Sequence, residues 1–163
     1  MKRQNSAVYL TRGGIIAALY VLLTYLSALF GLASGVIQLR LSEMLCILPL
    51  FFIEAVPGLF VGCIVSNILT GALVWDVIFG SLATLIGALG ARILGKLFPR
   101  APFLATLPTV IANAIIVPFV LAYAYGAEGS VFYFMLTVGI GELLSAGVLG
   151  TACYYLFKRG LKR

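Results

Sequence analysis

The sequence predicts an all-α integral membrane protein with six transmembrane helices and both termini in the cytoplasm. Three observations lead there. The chain is 63% hydrophobic and 10% charged over 163 residues, too apolar for a soluble domain whose surface must be hydrated. Its apolar runs alternate with short polar connections, and no polar linker is long enough to divide it, so a single membrane domain over 1–163 is expected. Lys2, Arg3, Arg12, Arg92, Lys96, Arg100, Lys158, Arg159, Lys162 and Arg163 fall on one side of such a bundle, and of the 11 basic residues only Arg40 falls on the other. Positively charged loops stay cytoplasmic, which sets the orientation.

The first span is expected over 13–30. Its apolar run is longer than a signal-peptide core and no clear small-residue cleavage site follows, so it reads as a retained helix. The pairs Gly13/Ala17 and Gly14/Ala18, each four residues apart, make stripes on which a second helix can approach closely. A loop to Leu41 ends in Gln38-Leu39-Arg40. Ser42-Glu43 then opens a short span, 42–53, and Glu54-Ala55-Val56-Pro57-Gly58 turns the chain, because proline disfavours the helical conformation at Val56 and suits the start of the next helix. The third span, 57–70, repeats Gly58, Gly62, Ser66 and Thr70 every fourth residue, leaving one face nearly bare backbone. Both segments are shorter than the roughly 20 residues that span a bilayer. Two short spans buried by their neighbours are expected, with a re-entrant hairpin as the alternative.

The fourth span, 76–96, carries Asp76, Gly80, Ala83, Gly87 and Ala91 on one face. The fifth, 104–123, holds Asn113 near its middle, with Pro108 and Pro118 bending it. The sixth, 131–157, holds Glu142 about 17 Å of helix rise from its start.

Composition excludes several functions. The net charge of +6 is accounted for by topology, so no nucleic-acid partner is expected. The chain has no histidine, which removes the usual general base and the commonest metal ligand. Cys46, Cys63 and Cys153 show no CxxC pairing and read as buried thiols, without a metal or redox cofactor. No Walker A pattern is present, and Gly139-Ile140-Gly141 is only part of a GxGxxG inside a span, so energy from ATP must come from a partner. No nucleophile has an activating base, and enzyme activity is not expected.

The polar residues left over are candidates for a small-molecule site. Ionisable side chains at membrane depth are costly and mark function by default. Under the expected topology Arg40, Glu43, Trp75 and Asp76 gather at the outer helix ends, with Asn67 two turns below and Asn113 and Glu142 nearer the midplane. Each has a plainer reading. Glu43 and Asp76 suit helix starts, where carboxylates meet the dipole favourably. Trp75 suits an interfacial belt, Arg40 a surface pair with Glu43, and the asparagines interhelical glue. Glu54 belongs to a cytoplasmic turn and is left out of the site. Glu142, mid-helix, has no capping role open to it; its plain reading is a neutral carboxyl bonded between helices. A matching ligand is planar with several N–H donors: a carboxylate accepts two parallel N–H bonds from a guanine-like edge, and Trp offers a stacking face.

The segments QLRLSEML, EAVPGLFVGCIVSN, WDVIFGSLATLIGAL and VGIGELL, in that order over nearly the whole chain, resemble the QueT family. Its members are substrate-binding S-components of energy-coupling factor (ECF) transporters for queuosine precursors. The resemblance implies an S-component-like bundle, a 7-deazaguanine substrate, a transmembrane coupling protein and two cytoplasmic ATPases, with the subunit toppling in the membrane to carry its site inward. Arg40, Ser42 and Glu43 match the family's R-x-S-E motif, Asn67 its third-helix Asn, Asp76 its aspartate and Glu142 its G-x-G-E. Gly13, Gly14, Ala17 and Ala18 stand where S-components carry small residues that dock on the coupling protein, although the usual pattern is richer in alanine. Ile53 departs from the proline that the family places before the turn's Glu54, which implies a local loop change. An S-component for another vitamin-like molecule and a structural or assembly membrane protein remain as alternatives.

Overall fold

The computed structural model describes residues 6–32 and 38–160. Among them every regular element is helical, arranged as six rods. The first is α1 (Ser6–Leu29). A ten-residue 3-10 segment (Leu41–Leu50) follows, then α2 (Ala55–Leu69) and α3 (Val74–Leu97). The fifth rod is composite: a 3-10 turn (Pro102–Thr106), α4 (Leu107–Phe119) and a π segment (Val120–Ala124). So is the sixth, built from α5 (Val131–Glu142), a π segment (Leu143–Leu149) and α6 (Gly150–Gly160). Lys2, Arg3, Lys162 and Arg163, which enter the charge count, lie outside the described residues.

Four rods, Ser6–Leu29, Val74–Leu97, Pro102–Ala124 and Val131–Gly160, are long and apolar enough to cross a membrane. The two segments expected as short spans buried by their neighbours, Leu41–Leu50 and Ala55–Leu69, fall below that length. The 3-10 segment covers only about 20 Å at its 2.0 Å rise, and α2 about 22 Å, against a hydrocarbon core of about 30 Å. Both are instead packed inside the bundle. Leu45, Cys46, Ile47, Leu48 and Pro49 are all buried, as are Ala55, Leu59 and Cys63 of α2. Three residues per turn also places Arg40, Glu43, Cys46 and Pro49 in one line, so the segment carries its polar groups along a single edge.

The small-residue stripes do most of the helix docking. α1 lies on α2 through Gly13 and Ala17 against Gly58 and Gly62. A Cβ at Gly58 would sit 2.6 Å from the Gly13 carbonyl oxygen, and one at Gly62 3.0 Å from that of Ala17. Neither backbone can yield. Gly14, one residue on, has nothing within 4 Å of its Cβ position, and Ala18 is exposed. The two stripes of α1 therefore divide, one closed within the chain and one open. We expect Gly58→Ala to cost about 1–3 kcal/mol by overpacking and Gly14→Ala to be neutral or stabilising, since Ala favours helix by up to about 1 kcal/mol. Unfolding midpoints of the two variants in the same detergent check both.

Gly80, Ala83, Gly87 and Ala91 line the buried face of α3. A Cβ at Gly87 would come within 2.8 Å of the Thr109 Cα, so α3 and α4 are close there. Pro108 lies in the first turn of α4, where a missing N–H costs nothing, while Pro118 removes a hydrogen bond just before the π segment opens at Val120.

Candidate functional site

Glu142 is the last residue of α5, and the backbone widens to a π segment immediately after it. Such bulges recur at functional sites because they redirect side chains and free carbonyls. Glu142 is buried, and its Oε2 has no hydrogen-bond partner. Asn113, buried on α4, joins it in a crevice with Gln38, Arg40, Val117 and Val138. The Asn113 amide donates to the Thr109 carbonyl at 3.3 Å. The crevice measures about 10 Å³, near the threshold for one water.

Gly141 explains how Gln38 reaches Glu142. A Cβ on Gly141 would overlap the Gln38 carbonyl oxygen. The extended strand 38–40 thus lies directly on bare α5 backbone, fixed also by the Leu39 amide donating to Leu32 O at 2.8 Å. Gln38 is the lining residue that sequence reasoning missed. Its place in the QLR stretch was noted, but nothing in the sequence marks a glycine in α5 as its seat.

Arg40 turns from the crevice edge toward Asp76, with Nη2 3.6 Å from Oδ2. Burial alone would lower the guanidinium pKa; the Asp76 carboxylate, together with Tyr20, Cys63 and Glu43, more than offsets this and leaves it above the ordinary value. The expected Arg40–Glu43 surface pair is therefore replaced. The physical reason is that Glu43 faces inward: the Tyr20 hydroxyl donates to its Oε1 and the Cys46 thiol to its Oε2 at 3.2 Å. Glu43 is almost wholly buried. Glu43 and Asp76 both lie in the first turns of their helices, where a carboxylate meets the helix dipole favourably, although the N-cap positions themselves are Arg40 and Leu73.

Asp76 is a junction. Tyr125 donates to its Oδ2 at 3.2 Å and accepts from the Leu73 amide at 3.1 Å, tying the end of the fifth rod to the start of α3. Burial, together with the neighbouring carboxylate, raises the Tyr125 phenol pKa above its usual value, so it keeps the proton it donates. The second oxygen, Oδ1, is buried and unpartnered. Asn67 Nδ2 donates to the Asp76 carbonyl at 3.2 Å, so its amide joins α2 to α3 and does not line the crevice.

Two sequence-selected groups lie elsewhere. Trp75 is 57% exposed, stacks on Phe79 with centroids 6.1 Å apart, and borders an apolar groove of about 600 Å³ with Phe119 and Tyr123. At the opposite end of the bundle Glu54 is buried and ion-paired with Arg12 at 3.2 Å, while the Arg12 guanidinium lies over the Phe52 ring. The structure thus brings together Arg40, Asn113 and Glu142, with Asp76 joined through Arg40 and Glu43 one 3-10 turn along. It leaves Trp75 outside. No group of His, Cys, Asp and Glu suited to a metal ion occurs among the described residues.

The family model described as QueT transporter matches residues 10–159. A Queuosine precursor transporter QueT of Lactococcus lactis subsp. cremoris (strain MG1363) is 43% identical over 72 residues, which is 44% of this chain. The match spans 42% of that relative's length. No solved structure matches. The chain belongs to the QueT transporter family: it is a membrane protein of a transporter family, not of an enzyme family.

Proposed function

We propose, on the premise of that membership, that this chain is the substrate-binding membrane subunit of an ECF-type importer, and that it takes up a queuosine precursor. Both termini are cytoplasmic in this reading, the Glu142 crevice faces the outer side, and ATP is hydrolysed by two partner subunits acting through a coupling protein. The observation that carries the reading is the buried, unpartnered Glu142 Oε2 beside the Asn113 amide. Leaving a carboxylate oxygen unsatisfied in an apolar bundle costs several kcal/mol, and an N–H-rich ring removes that cost. The name of the Lactococcus lactis relative, queuosine precursor transporter, agrees with such a ligand.

Glu142 then reads the N1–H and 2-amino edge of a 7-deazaguanine, Asn113 supplies a donor and an acceptor, and Gln38 and Arg40 close over it. The strand 38–40 must shift for a ring to enter a space of about 10 Å³. Trp75 is a second-rank candidate, reached only from the groove side. Glu43 and Asn67 shape the site by holding the 3-10 segment and the start of α3. Gly14 and Ala18, open on α1, are the docking stripe for the coupling protein; Gly13 and Ala17 support it by their contact with α2.

Calorimetric titration and thermal shift of the detergent-purified chain against the nitrile, the aminomethyl form and the complete base queuine test the reading, with guanine as control. Tight and selective binding of one is the expected result. A folded protein that binds none would move the assignment to another vitamin-like molecule or to a structural role.

A further inference from the structure

A second groove runs along the outside of the bundle between α3 and α4. Its half near the α3 C-terminus, about 510 Å³, is lined by Ile86, Leu94, Leu107, Pro108, Ile111 and their neighbours, all apolar. It shares Ile115 and Ile116 with the aromatic groove beside Trp75. From Trp75 to Leu94 the pair extends about 28 Å along α3, close to the depth of a bilayer core. The floor is set by glycine: a Cβ at Gly90 would overlap the Pro108 ring, so the helices approach closely there while their larger side chains stand at the rim.

Exposed basic residues flank the end near the α3 C-terminus. Lys96 lies two residues beyond Leu94, Arg100 lies in the turn that follows, and both are exposed. The two ion pairs among the described residues use Arg12 and Arg40. A transmembrane helix would dock best on small residues, yet the rim here is Ile86, Ile111 and Ile115, each more than half exposed. A flexible acyl chain fits branched aliphatic walls without such a stripe.

We propose that the groove between α3 and α4 binds one anionic phospholipid, its acyl chain along Ile86, Leu94, Pro108 and Ile111 and its phosphate on Lys96 and Arg100. Juxtamembrane lysine and arginine attract anionic headgroups, and the attraction decays within a Debye length. The site is independent of the substrate assignment.

Native mass spectrometry of the full chain tests this, with phosphatidylglycerol or phosphatidylcholine of matched acyl chains added to the detergent. One phosphatidylglycerol should be retained, at least roughly tenfold in preference to phosphatidylcholine. The double variant Lys96→Gln/Arg100→Gln should lose the preference, while Lys158→Gln/Arg159→Gln, which removes the same charge elsewhere, should keep it. Ile111→Trp, at an exposed position, should lower retention of either lipid by filling the groove. Equal retention of the two lipids would overturn the proposal. So would a preference that survives loss of Lys96 and Arg100, or one that falls equally in both double variants. A lipid-free dimer in the spectra would give the groove to a second copy of the chain.

Discussion

Glu142→Gln is expected to lower affinity for the selected deazaguanine by at least about 100-fold while leaving the protein folded. The carboxylate offers two acceptors to the two parallel N–H groups of a guanine-like edge. The amide keeps one acceptor and turns the other into a donor, which faces an N–H of the ligand. A hydrogen bond to a charged group contributes about 1.5–3 kcal/mol, and a mismatched buried donor adds its own desolvation cost; about 3 kcal/mol corresponds to roughly two decades of Kd. The internal cost is small, because Oε2 has no protein partner to lose. The thermal midpoint should therefore stay level or rise, as a buried carboxyl with an unpartnered oxygen is replaced by an uncharged amide of the same shape. Calorimetry and thermal shift on the same samples separate the two effects. Unchanged affinity would sink the role assigned to Glu142. A fall in stability, with no ligand bound by either protein, would favour the structural reading.

What was legible in the sequence follows periodicity and cost. The repeats Gly58/Gly62 and Gly13/Ala17 could be read as close-packing stripes because spacing of four residues is a local property; that they pack on each other, so closely that a Cβ at Gly58 would sit 2.6 Å from the Gly13 carbonyl oxygen, is a tertiary fact. Glu142 could be singled out because no local role is open to a mid-helix carboxylate. Pairings were much less legible. Arg40 and Glu43 are three residues apart, and the plainer reading of Arg40 joined them, yet Tyr20 and Cys46 occupy Glu43 while Asp76, 36 positions along, takes Arg40. The hydroxyl of Tyr20 is 23 residues from Glu43, and nothing in a spacing of that size announces contact. Trp75 illustrates the opposite limit. Its neighbour Asp76 points inward, so Trp75, a third of a helical turn away, is carried to the outer groove.

Helix type was also invisible. The sequence reads as a short helix over 42–53, but the structure draws the ten residues Leu41–Leu50 into a 3-10 form that reaches about 20 Å where an α-helix would reach about 15 Å. Buried on nearly every side, it has no amphipathic face for periodicity to report. The same applies to the π segments: Pro118 gives a reason for one, whereas Leu143–Leu149 follows Glu142 with no local sequence cause that we can identify.

Gly141→Ala should weaken the site without substituting any residue that contacts the ligand. The new methyl would occupy the place of the Gln38 carbonyl oxygen, and α5, embedded in the bundle, is the less yielding partner. The strand 38–40 must lift. Gln38 and Arg40 then leave the edge of the crevice, and the Leu39 amide loses its bond to Leu32 O. We expect ligand affinity to fall by about tenfold or more, the scale of one or two lost polar contacts, with faster hydrogen exchange at Leu39. Global stability should change little, since alanine improves helix propensity by up to about 1 kcal/mol and partly offsets the displaced contact. Gly139→Ala is the matched control, two residues away in the same motif. Its Cβ would meet only the Ala114 methyl at 3.6 Å, an ordinary contact, so affinity and exchange should both stay as in the parent. If Gly141→Ala also keeps affinity within about twofold while Leu39 exchange rises, the strand is merely seated over Glu142, and the ligand is held by α4 and α5 alone.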